Sequence, residues 1–304
     1  LTLRSRELTV TDNKLSTALA IKADLGALHL LTTQWLPEQH LPGLFDSLST
    51  EGNFEYTVTD NQLHADLDMT LTGIKQVLRG PVSLTYQPGQ LALVLKESFN
   101  IEVHKQTLAQ ASLPELRLSV KDDINCSYML SQAGWKCGSA RMSLALPELH
   151  YPPYTMRSDP GMLTLHNLSG ERNTWQVNTD LDLPAIKLAL PDNVIHFDRV
   201  HAQLQASPDE LRATADLRAA DGKLVMSITA RHDMQKQQGK AEIDLQPVSL
   251  DATHNIPGKL LSRWPYPVHI EAGELLGKST ITWRQHNGQF ALNQNATVQL
   301  NNIQ

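Results

Sequence analysis

Apolar and polar residues alternate along most of this chain. Leu63, Ala65, Leu67, Met69 and Leu71 take every second position, and polar side chains fill the positions between them. Alternation with a period of two is typical of a β-strand that has one buried face. The pattern returns at residues 91–95, 144–146, 163–165, 181–183, 211–217, 224–230, 241–245 and 296–300. It predicts a mostly β protein with about 18 to 20 strands.

Short polar pairs separate these alternating runs. They occur at Asp12-Asn13, Asp60-Asn61, Pro88-Gly89, Asp221-Gly222 and Asn287-Gly288, with a looser copy at Pro208-Asp209. Asn-Gly and Asp-Gly favour the positive φ that tight hairpin turns require. The chain is therefore predicted to be a succession of antiparallel hairpins. Such a sheet has one apolar face, and something must cover it.

Three segments interrupt the alternation. Residues 34–48 and 256–264 each carry Trp and several Leu, and a proline stands where a helix start tolerates it. We predict one or two short helices there, interpreted as ordinary helices that pack on the sheet rather than as a gate. Residues 151–161 are rich in Pro and Tyr and form a linker or a long loop. Alternation resumes afterwards, so we predict one elongated β segment over residues 1–304 with a possible internal break near 151–161.

The composition narrows the classes of function. The net charge is -6, and the 26 Lys and Arg residues are scattered, which predicts no footprint for nucleic acid and no polybasic patch for a membrane surface. Aromatic residues make up 5% and Leu is abundant, so the apolar face is mostly aliphatic and offers few stacking platforms. No run of about 18 apolar residues is present to span a bilayer. Both ends alternate like strands, and we expect the chain to be part of a longer protein.

The two cysteines, Cys126 and Cys137, flank a short segment with Ser131, Gln132, Ala133 and Gly134 near its middle. A hairpin there places the two sulfur atoms opposite each other. A disulfide is favoured over two buried thiols. It would contribute about 3 kcal/mol to the stability of the fold. It also indicates an oxidising compartment. A zinc site is poorly supported because no further Cys or close His pair completes four ligands.

No catalytic constellation is found, and no cofactor or metal is predicted. The segment Gly273–Thr280 resembles a phosphate-binding loop, but it has three residues between its glycines where that loop needs four, and it leads into a strand pattern. Asp66 with Asp68, and Asp180 with Asp182, place carboxylates on one strand face. Acid catalysis can use such pairs, but the solvated face of a strand gives the same pattern. We therefore do not expect an enzyme.

The apolar face itself is the remaining functional feature. A closed sandwich, barrel or β-solenoid that packs this face on itself explains the alternation, and pattern alone favours it. That architecture indicates a structural or adhesive module that binds protein partners. The aliphatic composition points instead to an acyl-chain ligand, because acyl chains need a wide, smooth apolar surface rather than specific polar groups.

The succession of strands, the aliphatic face and the segment Gly273–Trp283 resemble the AsmA-like, TamB-related family of bacterial envelope proteins. The resemblance extends over the whole chain. It implies a taco-shaped repeating β-groove with an aliphatic interior, in a periplasmic segment of a protein anchored in the inner membrane. It implies that phospholipids move between the inner and outer membranes through this groove. On this basis the groove is preferred to the closed sandwich.

The resemblance also implies the partners. Phospholipid acyl chains would occupy the groove, an outer-membrane lipoprotein would add a strand to an open sheet edge, and parts outside this segment would contact the membrane. The expected groove lining consists of Leu63, Leu67, Leu91, Leu93, Leu144, Leu146, Leu181, Leu224, Met226 and Ile243. Replacing Leu67 or Met226 with Asp is expected to interrupt transport while the fold survives.

Overall fold

The chain is built almost entirely from antiparallel β-strands. The computed structural model describes residues 2–25, 45–108, 111–113, 115–146, 148–151, 154–171, 174–189, 194–219, 225–251, 272–286 and 289–302. Apart from the helical residue Leu25, no helical element is described within these ranges, and none of their segments could cross a membrane as a helix. The prediction of a mostly β, antiparallel protein is therefore confirmed.

The described residues form 25 strands, more than the 18 to 20 predicted, because strands of three or four residues show too little alternation to be recognised. They are β1 (Thr2–Val10), β2 (Lys14–Asp24), β3 (Ser47–Thr57), β4 (Gln62–Thr72), β5 (Gln76–Gln87), β6 (Gln90–Leu95), β7 (Asn100–Val103), β8 (Gln106–Leu108), β9 (Ala111–Leu113), β10 (Leu116–Val120), β11 (Ile124–Met129), β12 (Gly134–Cys137), β13 (Ala140–Ala145), β14 (Leu149–Tyr151), β15 (Tyr154–Ser158), β16 (Gly161–Glu171), β17 (Thr174–Leu183), β18 (Ile186–Ala189), β19 (Val194–Phe197), β20 (Arg199–Ala206), β21 (Glu210–Arg218), β22 (Val225–Asp233), β23 (Gln238–Asp251), β24 (Ala272–His286) and β25 (Gln289–Asn301).

The helix predicted for residues 34–48 is wrong at its C-terminal end. Ser47 and Leu48 begin β3, where Leu48 pairs with Ala23 of β2 and Leu71 of β4. This cross-strand apolar packing decides the conformation in favour of a strand. Residues 34–44 of that predicted helix, and all of the second one at 256–264, lie outside the described residues.

The chain divides into two compact units. Unit 1 comprises Leu1–Lys105, Glu115–Leu144 and Asn167–Asn173, and unit 2 comprises Gln106–Pro114, Ala145–His166 and Thr174–Gln304. Residues 154–161, part of the predicted internal break, lie within unit 2.

Unit 1 contains a ladder of hairpins. Strands β1 to β6 pair in sequence order, β6 pairs with β11, and β11 pairs with β12. The long strand β5 divides its partners, since Gln76–Arg79 pair with β7 and Val82–Gln87 pair with β6. At the division, Gly80 has φ 143°, and a Cβ there would lie 2.7 Å from Cα of Phe99, which is fully buried. Only glycine permits this close approach.

Unit 2 contains a second ladder and a small sheet. In the ladder, β17 pairs with β20, and β20 to β25 then pair in sequence order. The small sheet has the order β19-β18-β15-β14-β9-β8. Four of the predicted hairpin turns are confirmed: Asp12-Asn13 connects β1 to β2 and Pro208-Asp209 connects β20 to β21, while Asn61 and Gly89 have φ of 49° and 87°. Asp221-Gly222 and Asn287-Gly288 lie outside the described residues.

Two β-bulges preserve the faces where the alternation of the sequence shifts phase. In β1 the apolar positions move from Leu3 to Leu8 and Val10, and the register shifts between Ser5 and Glu7. In β23 they move from Leu245 to Val248, and the register shifts across Gln246-Pro247. A bulge adds one residue to one strand, so the apolar side chains return to the same face after each shift. Pro247 suits this place because a bulge does not need its missing N–H group.

Candidate functional site: the apolar sheet faces

The ladder of unit 1 has one face without a charged side chain. Paired residues of neighbouring strands point to the same side of a sheet, so the register defines cross-strand rows. One row contains Leu19, Gly52, Leu67, Val82, Leu95 and Ile124, and the next contains Phe54, Ala65, Leu84, Leu93, Cys126 and Cys137. A third row contains Leu15, Tyr56, Leu63, Tyr86, Leu91, Tyr128 and Trp135. Across the described β2–β6, β11 and β12, these rows hold no Asp, Glu, Lys or Arg.

The ladder of unit 2 repeats this arrangement. One row contains Leu181, Ala202, Ala215, Ile228, Ile243, Ser279 and Ala296. The neighbouring row contains Leu183, Val200, Leu217, Met226, Leu245, Gly277 and Val298. Thr179, His232 and Gln294 are among the few polar side chains on this face in the described part of the ladder, and none of these rows carries a formal charge.

The register thus brings together most of the expected lining residues within each unit. Leu63, Leu67, Leu91 and Leu93 share the apolar face of unit 1, while Leu181, Met226 and Ile243 share that of unit 2. Leu144 occupies every second position of β13 together with the buried Ala140 and Met142, so the three share one face of the strand. Leu146 follows β13, and its carbonyl oxygen accepts a hydrogen bond from Ser158 Oγ at 3.2 Å. Leu224 lies outside the described residues.

Sequence reasoning missed other members of the same rows, among them Phe54 and Leu84, whereas Leu95 and Ile228 were part of the predicted alternating runs but not of the expected lining. A usable signal was present, because residues at equal distances from a hairpin turn pair with each other. Once the turn at Pro88-Gly89 is placed, Leu84 falls opposite Leu93, and Val82 falls opposite Leu95.

Many of the side chains on these faces are half-buried rather than enclosed. Leu63, Leu67, Leu91, Leu93, Leu181, Met226 and Ile243 all keep part of their surface exposed. Some members of the rows are buried, namely Ala65, Val82, Ile124 and Cys137 in unit 1 and Leu183 and Val200 in unit 2. Residues 291–301 of strand β25 are exposed along both faces, including Leu292 at 51% and Val298 at 69%. The described sheets therefore present apolar surface that their own packing does not fully remove from water.

The disulfide joins two neighbouring positions of the apolar face in unit 1. Cys126 and Cys137 are paired residues of β11 and β12, with their sulfur atoms 2.09 Å apart. The predicted disulfide is confirmed. The bond closes the hairpin whose turn carries Ala133 at φ 48°.

The carboxylate pairs lie on the opposite, polar face, where Asp66, Asp180 and Asp182 contact neighbouring side chains. Asp66 accepts hydrogen bonds from Ser83 Oγ and His64 Nε2, and the Ser83 bond is the main cause that lowers the pKa of Asp66. In unit 2, Asp180 contacts His166 Nε2 at 2.8 Å.

Asp182 is held in the same manner. Burial would raise the pKa of Asp182, but hydrogen bonds from Arg199 Nη2 at 2.9 Å and His201 Nδ1 at 3.0 Å outweigh this and lower it. These carboxylates are satisfied by neighbouring side chains, which is the pattern of a solvated strand face.

The loop-like segment Gly273–Thr280 is a continuous part of β24. It does not lead into a helix, so it lacks the amide cradle of a phosphate-binding loop. Within the described ranges, no group of three or more His, Cys, Asp or Glu residues could hold a metal ion. No protein-family model, curated protein or solved structure matches this chain.

Proposed function

We propose that the chain is a segment of a bridge-like lipid transfer protein that carries phospholipids between the inner and outer membranes and supports outer-membrane lipid homeostasis. In this proposal the apolar face of each unit lines a hydrophobic groove that holds acyl chains. One observation carries the proposal: each ladder has a broad apolar face that is free of charged residues in its described strands and on which many side chains are only half-buried.

The physical chemistry of such a face suits acyl chains. Each methylene that leaves water contributes about 0.8 kcal/mol, so a chain lying along Leu63, Leu67 and Leu93 is held without any specific polar contact. Successive strands lie about 4.8 Å apart and repeat similar aliphatic rows. A lipid displaced by one strand therefore meets nearly the same surface, and its positions have similar energies. Small differences between positions permit sliding.

The location and the partner belong to the same proposal. A disulfide favours an oxidising compartment, which agrees with a periplasmic segment of a protein of the AsmA-like family anchored in the inner membrane through parts outside this segment. The exposed strand β25 supports strand addition by an outer-membrane lipoprotein. No cofactor and no catalytic group enter this function.

Native mass spectrometry with lipid extraction tests the proposal on the purified chain. Phospholipid is expected to co-purify with the wild type and to be reduced by Leu67→Asp in unit 1 or by Met226→Asp in unit 2. The matched control is Thr214→Asp, which adds the same charge on the polar face of β21, where Thr214 lies exposed opposite Gln203 and Thr229. The control is expected to retain lipid.

Two results contradict the proposal. A wild-type protein that is free of lipid and excludes hydrophobic dyes indicates a closed structural or adhesive β module. Unfolding of both Leu67→Asp and Met226→Asp, with the control still folded, shows that these residues form a closed core rather than a groove lining.

A further inference from the structure

Three cations lie directly opposite each other on the polar face of unit 2. In the strand register, Arg212 of β21 lies opposite Arg231 of β22, and Arg231 lies opposite Lys240 of β23. Their side chains are 59%, 69% and 53% exposed. Like charges at directly opposed positions of neighbouring strands are destabilising. A row of three such positions therefore needs nearby anions, which the protein's own carboxylates or a bound ligand can supply.

Two further cations adjoin this row. Arg284 of β24 lies opposite Gln238, next to Lys240 along the ladder, and Lys236 lies in the turn between β22 and β23. Arg231, Lys236, Lys240 and Arg284 line a surface depression of about 670 Å³ together with Thr282 and Asn293. We call Arg212, Arg231, Lys236, Lys240 and Arg284 the basic patch.

The protein's own carboxylates do not balance the basic patch. Glu210 contacts both Arg212 and Arg231, Asp233 contacts Lys236 at 3.2 Å, and Glu242 contacts Lys240. Arg284 has no ion-pair partner within the described part of the chain. Five cations thus face three contacting carboxylates, in a chain whose net charge is -6.

The geometry of Glu210 orients the two guanidinium groups. Its carboxylate, which is 18% exposed, contacts the Nε atoms of Arg212 and Arg231. An arginine has five N–H donors in a planar fork, so a guanidinium that contacts one carboxylate through Nε still has further donors that can serve another acceptor. Phosphate oxygens match this fork and accept two parallel hydrogen bonds from one guanidinium.

We propose that the basic patch binds a phosphate-bearing anion. The oxygen atoms of the phosphate accept hydrogen bonds from Arg231 and Arg284, and Lys236 and Lys240, which also line the depression, add positive charge. Arg212 lies next to Arg231, beside the depression. The patch lies on the face opposite to Met226 and Ile243, so this inference does not rest on the lipid groove. A soluble phosphate compound and the phosphate of a lipid headgroup share this chemistry.

Two binding experiments distinguish a soluble phosphate compound from the phosphate of a lipid headgroup. Titration calorimetry with pyrophosphate measures the soluble source. Co-sedimentation with vesicles of phosphatidylcholine, with and without phosphatidylglycerol, measures the headgroup source. Two variants are compared. The first combines Arg231→Gln with Lys240→Gln. The second is Arg284→Gln alone, which removes a cation that has no ion-pair partner among the described residues. The control is Arg218→Gln, an exposed cation on the same face of β21, about 20 Å along the strand from Arg212.

Near a lipid surface each Lys or Arg changes partitioning about fivefold, so we expect the double variant to lose on the order of 25-fold in binding to phosphatidylglycerol vesicles. Arg284→Gln is expected to lose about fivefold. The control should stay within about twofold, because it lies beyond the screening length of about 8 Å at physiological salt. A similar loss with pyrophosphate but not with vesicles supports the site and assigns it to a soluble phosphate.

The proposal is overturned if neither probe binds in a patch-dependent way, or if Arg218→Gln weakens binding as much as the patch variants do. Thermal unfolding of every variant separates loss of binding from loss of fold. Because the double variant removes opposed like charges, its fold is expected to survive.

Discussion

The disulfide permits a stability prediction whose magnitude follows from the structure. Cys126 and Cys137 are 11 residues apart and join paired positions of β11 and β12. Cross-linking a loop of this length removes chain entropy worth about 2.8 kcal/mol from the unfolded state at 25 °C. Reduction of the wild type should therefore lower the free energy of unfolding of unit 1 by about that amount.

Guanidinium denaturation of the wild type with and without a reductant measures this difference. Reduction keeps both sulfur side chains in place, whereas alanine also opens a cavity at Cys137, which is 7% exposed. The double variant Cys126→Ala with Cys137→Ala serves as the control, because a reductant should not change its stability. If the units unfold in separate transitions, only the transition of unit 1 should move. A shift below about 1 kcal/mol, or an equal shift in the double variant, would refute the reasoning.

Three further predictions concern single positions. Phe99→Ala should lower the free energy of unfolding by about 3–5 kcal/mol because Phe99 is fully buried beside Gly80, and chemical denaturation that shows less than 1 kcal/mol would contradict this. Gly239→Ala should cost about 1–3 kcal/mol and shift the Trp283 indole N–H resonance, since the new Cβ would lie 2.3 Å from Cζ2 of Trp283; an unmoved resonance would count against it. Asp182→Asn should be less stable than the wild type at neutral pH. The folded pKa of Asp182 is lowered, so its contribution is present above the unfolded pKa of about 3.9 and is lost as pH falls through the folded pKa. The melting temperatures of the two proteins should converge below about pH 4, and a constant difference down to pH 2 would disprove the assignment.

Local sequence signals predicted the faces of the strands but not all of the pairing. Hairpin turns such as Asp60-Asn61 and Pro88-Gly89 fix the register of the strands beside them, and the alternation then assigns Leu63 and Leu91 to one face. The pairing of β6 with β11 has no such local signal, because β7 to β10 lie between them in the chain. Every amphipathic strand carries the same apolar pattern, so the pattern alone does not select one partner over another.

The sequence alone also could not show what the phase shifts in the alternation mean structurally. The change from Leu245 to Val248 can mean a bulge, a turn or the end of a strand, and only the continued pairing with β24 identifies the bulge. The opposed cations of the basic patch, in contrast, could have been predicted from the sequence. Arg231 and Lys240 lie at equal distances from the turn between β22 and β23, so placing that turn is enough to place the two cations opposite each other.

The two proposed sites occupy opposite faces of the same strands, which makes them separable. In β22, Met226 lies on the apolar face and Arg231 on the polar face, because five positions along a strand reverse the direction of the side chain. A substitution at one of these residues changes the chemistry of one face and leaves the other face in place. If Met226→Asp removes lipid but not phosphate binding, and Arg231→Gln with Lys240→Gln does the reverse, the two faces act independently. If either substitution removes both activities, the phosphate recognised by the basic patch belongs to the same lipid that the apolar face holds, and a route around the sheet edge must connect them.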